Sequence, residues 1–221
     1  YVTYRSQPDM VEFFYQFVAN QGQQLFASEF KEKLTRLRGY ELSPAAKQVE
    51  LQQLLSAHQQ GQSADDRLRF QNELQNQMQD FLRQRRRELE DTLIVKLSTE
   101  TLETQATGRV PGTLLNQFAL DEYQGKLRVA TTFGQTWTQF GQPESASDVY
   151  VLDDNLRQQG VVTDLGQSEQ IYAVRFLGEA GYVVTYRQVD PFYVLDLRDP
   201  SQPRKAGELK IPGYSSYLHP L

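Results

Sequence analysis

A four-residue motif occurs twice in the second half of this 221-residue chain, as Tyr150-Val151-Leu152-Asp153 and as Tyr193-Val194-Leu195-Asp196. Around it, residues 114–165 and 170–211 each read as four short strands in series. The first strand ends in a short turn, the second is rich in Val or Thr, the third carries the motif, and the fourth runs to Gly or Pro. The unit is about 45 residues, the length of one four-stranded propeller blade. Such a blade cannot bury both faces alone and needs neighbours. Two complete units with partial ones at either end do not close a ring, so the chain is expected to be a piece of a longer polypeptide. Its ends agree: Tyr1-Val2-Thr3-Tyr4 reads as a strand already under way, and Tyr217-Leu218-His219-Pro220-Leu221 stops without a polar tail.

The strands are read from alternation. Leu93–Leu97, Glu103–Val110, Leu114–Leu120, Lys126–Thr132, Val149–Asp153, Arg157–Leu165, Gln170–Phe176, Gly181–Arg187, Phe192–Leu197 and Lys205–Ile211 keep a period of two. Turn chemistry separates them at Gln124-Gly125, Asp153-Asp154-Asn155, Gly178 to Gly181 and Asp199-Pro200-Ser201.

Residues 9–91 keep a different rhythm, with a period of 3.6. Asp9 is placed to cap a helix whose stripe is Met10, Phe13, Phe14, Phe17 and Val18. Leu25, Phe26, Phe30, Leu34 and Leu37 continue it, and Gly39 can end that second helix. Ser43-Pro44 marks another start, with Leu51, Leu54, Leu55 and His58 along one side. Gln59-Gln60-Gly61-Gln62 breaks the pattern. Ser63 and Asp66 then resemble a capping box ahead of Leu74, Met78, Phe81, Leu82 and Leu89. Two such helices joined by a short polar loop should pack as an antiparallel hairpin.

Several longer stretches carry a resemblance. They are Gly108-Arg109-Val110-Pro111-Gly112, Leu115-Asn116-Gln117-Phe118, Leu120-Asp121-Glu122-Tyr123 and Leu127 to Thr132; then Ile171 to Phe176, Tyr182 to Pro191 and Gly207 to Gly213. With the closing Tyr217-Leu218-His219-Pro220, this order is similar to a prokaryotic family of secreted proteins with a C-terminal β-propeller, distantly related to WD40 repeats. The resemblance covers residue 93 to the end. It implies a mainly β fold, a partial propeller of four-stranded blades with a large α-helical insertion built as a helical hairpin. Residues 1–7 would be a strand of an incomplete blade, 8–92 the insertion, and 93–111 the rest of that blade. Residues 113–166 and 170–212 would be complete blades, and 213–221 the start of the next. The resemblance also implies an extracellular or cell-envelope location. It brings no reaction and no catalytic residues, and fold alone does not give function.

Composition narrows the chemistry. With no Cys and two His, thiol catalysis, disulfide scaffolds and Cys/His zinc sites are excluded. A net charge of -5 argues against a general nucleic-acid binder, and no long apolar run is present to span a membrane. Nucleophile elbows, phosphate loops and the His-Glu-x-x-His zinc motif are absent. The run Arg83-Gln84-Arg85-Arg86-Arg87 is diluted by Glu88, Glu90 and Asp91, and reads better as cations meeting a helix C-terminus than as a polyanion site. Asp153-Asp154-Asn155 and Asp196 with Asp199 carry the hard oxygen ligands that calcium takes. Their spacing fits no EF-hand and turn capping is the preferred reading, so no cofactor is expected. His58 and His219 have no second ligand nearby and are read as structural.

The candidate binding residues are Arg175, Arg187 and Asp190, as an anion site or as ion pairs between blades, together with Trp137, a lone large aromatic in a loop. The favoured function is a non-enzymatic exported scaffold binding a protein or an extracellular polymer, through the helices or the propeller face. The rival is an envelope hydrolase or lyase with its site in the central pocket and the helices as a lid. A third reading has the helices as struts that lock blades together.

Overall fold

The computed structural model describes residues 1–6, 9–134, 144–186 and 190–211. They fall into two compact units, one of β-sheets (the described residues within 1–6, 86–134 and 144–211) and one of helices (9–85). The fold is mainly β, with three antiparallel sheets and four helices among the described residues.

In the helical unit, α1 (Met10–Asn20) starts where Asp9 accepts hydrogen bonds from Val11 N and Glu12 N, both at 3.0 Å. It buries Val11, Phe13, Phe14, Phe17 and Val18. The second helix, α2 (Ser28–Arg38), stops at Gly39, and Ser43 caps α3 (Pro44–Gln59) through Ala46 N. The last, α4 (Ala64–Arg85), begins at the Ser63–Asp66 pair, where Ser63 Oγ accepts from Asp66 N and donates to its carboxylate.

Rings join these helices. Phe26 stacks on Phe30 with centroids 4.3 Å apart, Phe14 meets Phe26 edge-on, and Phe81 of α4 lies on Phe13 and Phe17. His58 sits among Phe26, Phe30 and Phe70. The packing is therefore broader than the expected two-helix hairpin: α3 packs on α1 and α2, and α4 is held through Phe70 and Phe81. The helix also ends before Leu89, at Arg85, with a 3-10 turn over Arg86–Glu88.

In the β unit, β1 (Val2–Ser6), β2 (Asp91–Leu97) and β3 (Thr104–Pro111) form a three-stranded sheet. The helices lie in sequence between β1 and β2, yet those strands pair from Val2↔Val95 to Ser6↔Asp91. The second sheet runs in chain order through β4 (Leu120–Tyr123), β5 (Lys126–Phe133), β6 (Ala146–Leu152) and β7 (Gln158–Leu165). The third does the same with β8 (Gln170–Leu177), β9 (Ala180–Tyr186), β10 (Asp190–Asp196) and β11 (Arg204–Ile211).

Leu114–Leu120 is not the continuous strand its alternation suggests. Asn116 Oδ1 accepts from Phe118 N at 2.9 Å and starts a 3-10 turn over Gln117–Ala119, leaving a strand only from Leu120. The β4–β5 hairpin turns on Gln124 and Gly125, both with positive φ (50° and 69°), the backbone a two-residue hairpin requires.

The sheets stack face to face. Ile94 and Val110 of the first pack with Leu127, Val129, Tyr150 and Leu152 of the second. From the other face of the second sheet, Ala130, Val149, Val151 and Val162 meet Val174, Phe176, Val183, Tyr193 and Leu195 of the third. Alternation along β5 and β6 supplies both faces at once, because the middle sheet is covered on both sides. Each fully buried Val or Leu here contributes about 1.5–3 kcal/mol.

Candidate functional site at the connector end

The two ends of the β unit differ. At one end lie the β4–β5 and β8–β9 two-residue turns and the turns after β2, β6 and β10. At the other lie the connections 112–119 and 166–169, the end of β5 at Phe133 and the start of β6 at Ala146, and the points, Ser6 and Asp91, where the chain leaves for the helices and returns. Hydrogen bonds tie this second end together. Gly112 N donates to Glu90 O at 2.7 Å, Thr113 and Thr132 exchange backbone bonds at 2.8 and 3.0 Å, and Ser168 N donates to Ser145 O at 2.7 Å. Binding groups concentrate on long connections held by a rigid frame, so this end is the place to look.

A cleft of about 420 Å³ opens there. Its polar lining is Thr113, Asn116, Thr132, Gln170 and Tyr172; Leu114, Leu115 and Ile171 supply the apolar part. The floor is rigid, because Thr132 Oγ1 lies 3.0 Å from the buried Ser147 Oγ and accepts from Ile171 N at 3.1 Å. Tyr172 is held edge-on against Tyr186, with centroids 5.5 Å apart. Among the described residues, none that lines the cleft is formally charged at neutral pH. Hydroxyls, amides and one phenol suit recognition of a neutral, hydrogen-bonding surface.

Beside the cleft end lies a polar cluster in which Asp148 of β6 is fully buried. Its carboxylate accepts from Arg87 Nε and Nη2 at 2.8 and 3.1 Å, from Tyr150 OH at 2.7 Å and from Asp164 N at 2.9 Å. Arg86 donates to Asp164 Oδ1 at 2.7 Å and to Glu144 O at 3.2 Å. Both guanidinium groups lie over the Phe133 ring, at 5.1 and 4.6 Å. Burial, reinforced by the Asp148 charge, pushes the Tyr150 phenol well above the usual tyrosine range. The hydrogen bond to Asp148 holds the Arg87 guanidinium more firmly protonated than usual. Arg86 and Arg87, read from sequence as helix-terminal cations, thus lie past the helix and are anchors to the second sheet.

Of the sequence-predicted binding residues, Arg175 and the backbone of Asp190 are described. Arg175 lies on β8, stacked 3.6 Å over the Phe118 ring, and does not line the cleft. Asp190 opens β10 with its backbone opposite Ile211. Arg187, Trp137 and His219 lie outside the described residues. The acidic turns serve as backbone caps and ion-pair partners. Asp153 Oδ1 accepts from Asn155 N and Arg157 N, Asp154 pairs with Lys96, Asp196 with Arg198 and Arg204, and Asp199 caps Ser201. The Arg198 and Arg204 bonds hold the Asp196 carboxyl far below its usual range. Among the described residues, no group of three or more His, Cys, Asp or Glu is placed to hold a metal ion. Likewise no described helix is long and apolar enough to cross a membrane.

Sequence reasoning missed Thr113, Asn116, Thr132, Gln170 and Tyr172. The available signal was Asn116, whose side chain can capture a backbone N–H two residues on. It missed Asp148 as well, a charge placed directly before the apolar run Val149–Leu152.

Comparison with known proteins agrees with the sheet architecture. A family profile described as "Beta propeller domain" matches residues 11–221. An uncharacterized protein of Archaeoglobus fulgidus is 46% identical over 219 residues, 99% of this chain and 34% of that protein. An uncharacterized protein of Methanocaldococcus jannaschii is 38% identical over 206 residues, 93% of this chain and 32% of that protein. The chain spans about a third of the length of these relatives.

Proposed function

We propose that this chain, which belongs to the beta propeller domain family, is part of an exported, non-enzymatic binding scaffold whose connector end holds a protein or an extracellular polymer. In this reading each four-stranded sheet is a blade. The sheet β1–β3 is part of another, and the helices are an insertion between two of its strands. Placement outside the cell draws on the likeness of residues 93–221 to a prokaryotic secreted family related to WD40 repeats.

The observation that carries the reading is the pairing of frame and cleft. Two packed sheets hold a 420 Å³ cleft at the end where the connection of residues 112–119 lies and the chain leaves for the helices. Among the described residues that line it, Tyr172 is the only one with a titratable side chain. That lining matches hydrogen-bonded recognition better than acid–base work, which needs perturbed groups converging on one atom.

The test is retention of extracellular polysaccharide and secreted-protein fractions on the immobilised full polypeptide. It is run beside the double variant Asn116→Ala/Tyr172→Ala and the opposite-end variant Asn155→Ala. Binding should fall at least about tenfold in the cleft variant, the loss of about 1.4 kcal/mol, and persist in the other. Equal binding by all three proteins would remove the cleft from the account.

A further inference from the structure

Consecutive residues of a regular strand point to opposite faces, yet Gln170, Ile171 and Tyr172 of β8 all line the cleft. A β-bulge is the reason. Ile171 pairs with Thr185 and Ala173 with Val184, so Tyr172 is an extra residue with no place of its own in the ladder. Bulges re-aim a side chain beside binding sites, and this one brings the Tyr172 ring to the cleft. There Tyr186 braces it, with the two ring planes 65° apart.

The connection into β4 supplies the amide. Asn116 Oδ1 accepts from Phe118 N at 2.9 Å, which fixes the side chain. Among the described residues that bond occupies only the oxygen, and the two N–H donors of the Asn116 amide remain for a ligand. Gln170 adds a second amide, Thr113 a hydroxyl, and Leu114 and Leu115 apolar surface.

Each of these features matches one part of a sugar ring. The C–H groups on the faces of a pyranose are attracted by the negative face of an aromatic ring. The hydroxyls at its edge both donate and accept, and amides do the same. Other ligands fit less well. An extended peptide is held through a run of open backbone groups, and here Thr113 N, Thr132 N and Ile171 N are spent within the floor. A polyanion needs cations; the described lining brings none, and the chain's net charge of -5 opposes it.

We propose that the connector-end cleft binds a neutral saccharide, one ring of a longer glycan stacking on Tyr172 while Asn116 and Gln170 hold its hydroxyls. At about 420 Å³ the cleft lies toward the small end of ligand sites, which run from about 300 to 1,000 Å³, and takes a short stretch of polymer. The inference rests on the cleft reading above and names the ligand class for it.

The experiment sets the full polypeptide against an array of neutral oligosaccharides built from hexose, deoxyhexose and N-acetylhexosamine units. Oligogalacturonate and uncharged peptides stand beside them, and hits are followed by calorimetry and hydrogen exchange. A neutral glycan should bind and slow exchange at residues 113–116 and 170–172. Tyr172→Phe keeps the ring and should bind nearly as well as the native protein, whereas Tyr172→Ala should lose at least about tenfold. Asn116→Asp keeps the acceptor for Phe118 N, and with it the turn, but lacks the amide donors; it too should lose about tenfold. Should Tyr172→Ala fail to fold, Asn116→Asp and exchange on the native protein decide. Equal losses in Tyr172→Phe and Tyr172→Ala would contradict stacking. Binding of oligogalacturonate or peptides alone, with the same residues protected, overturns the saccharide and leaves the cleft in place. Glycan binding that leaves the cleft amides unprotected overturns the cleft reading as well, and an array without a bound neutral glycan overturns the proposal.

Discussion

Asp148→Ala tests whether the buried cluster on β6 holds the connector end in place. The substitution removes the acceptor for four hydrogen bonds. Tyr150 is 3% exposed, so its hydroxyl is left without that acceptor, at about 1–3 kcal/mol. The Asp164 N–H loses a bond of similar worth. Arg87 suffers less: its side chain is a third exposed and keeps Asp164 at 2.9 Å and the Phe133 ring, so screening limits its share to about 0–1 kcal/mol. The total, about 2–7 kcal/mol, brackets the roughly 3–5 kcal/mol cost of breaking a buried ion pair.

Asp148→Asn keeps an acceptor and should cost about 1–3 kcal/mol. Asp148→Ala and Tyr150→Phe together should cost less than the sum of the two, because the phenol lost in one is the phenol orphaned in the other. The assay is urea denaturation read through hydrogen exchange of the β5–β7 amides, which isolates the β unit from the helical one. A loss below about 1 kcal/mol for Asp148→Ala, or strict additivity in the double variant, would refute the reasoning.

Three further outcomes follow from the same geometry. The folded protein raises the Tyr150 phenol above its unfolded value of about 10. That contribution is therefore complete below pH 10 and is lost as the pH climbs toward the folded value; melting curves above pH 10 should fall more steeply for the native protein than for Tyr150→Phe. Gly160→Ala should destabilise by about 1–3 kcal/mol by overpacking, measured as a shift in urea midpoint, since its Cβ meets the Pro200 carbonyl. Phe14→Ala, fully buried among Phe17, Phe26 and Phe30, should cost the helical unit about 3–5 kcal/mol in helical ellipticity during urea titration.

What was legible in the sequence was local. Asp9 and Ser43-Pro44 announce their helices because a capping side chain reaches only two or three residues along the chain. The strands of the two repeats show in alternation and turn chemistry for the same reason. The 3-10 turn after Asn116 was not legible, since the apolar alternation of residues 114–120 points to a strand and a single side-chain bond overrides it. The cleft and the Asp148 cluster were out of reach because their partners are remote. Arg87 meets Asp148 across 61 positions, and Ile171 meets Thr132 across 39. The contact of Arg175 with the Phe118 ring was out of reach too, because the turn that brings the ring there is hidden by the alternation.

The central claim is that the connector end, and not the hairpin end, meets the ligand. Hydrogen exchange of the full polypeptide, with and without the extracellular fraction it retains, tests this directly. The account predicts slowed exchange at residues 113–116 and 170–172, with Asn155, Leu156 and the Gln124-Gly125 turn unchanged. Protection confined to those hairpin turns, with the cleft residues unaltered, would contradict it.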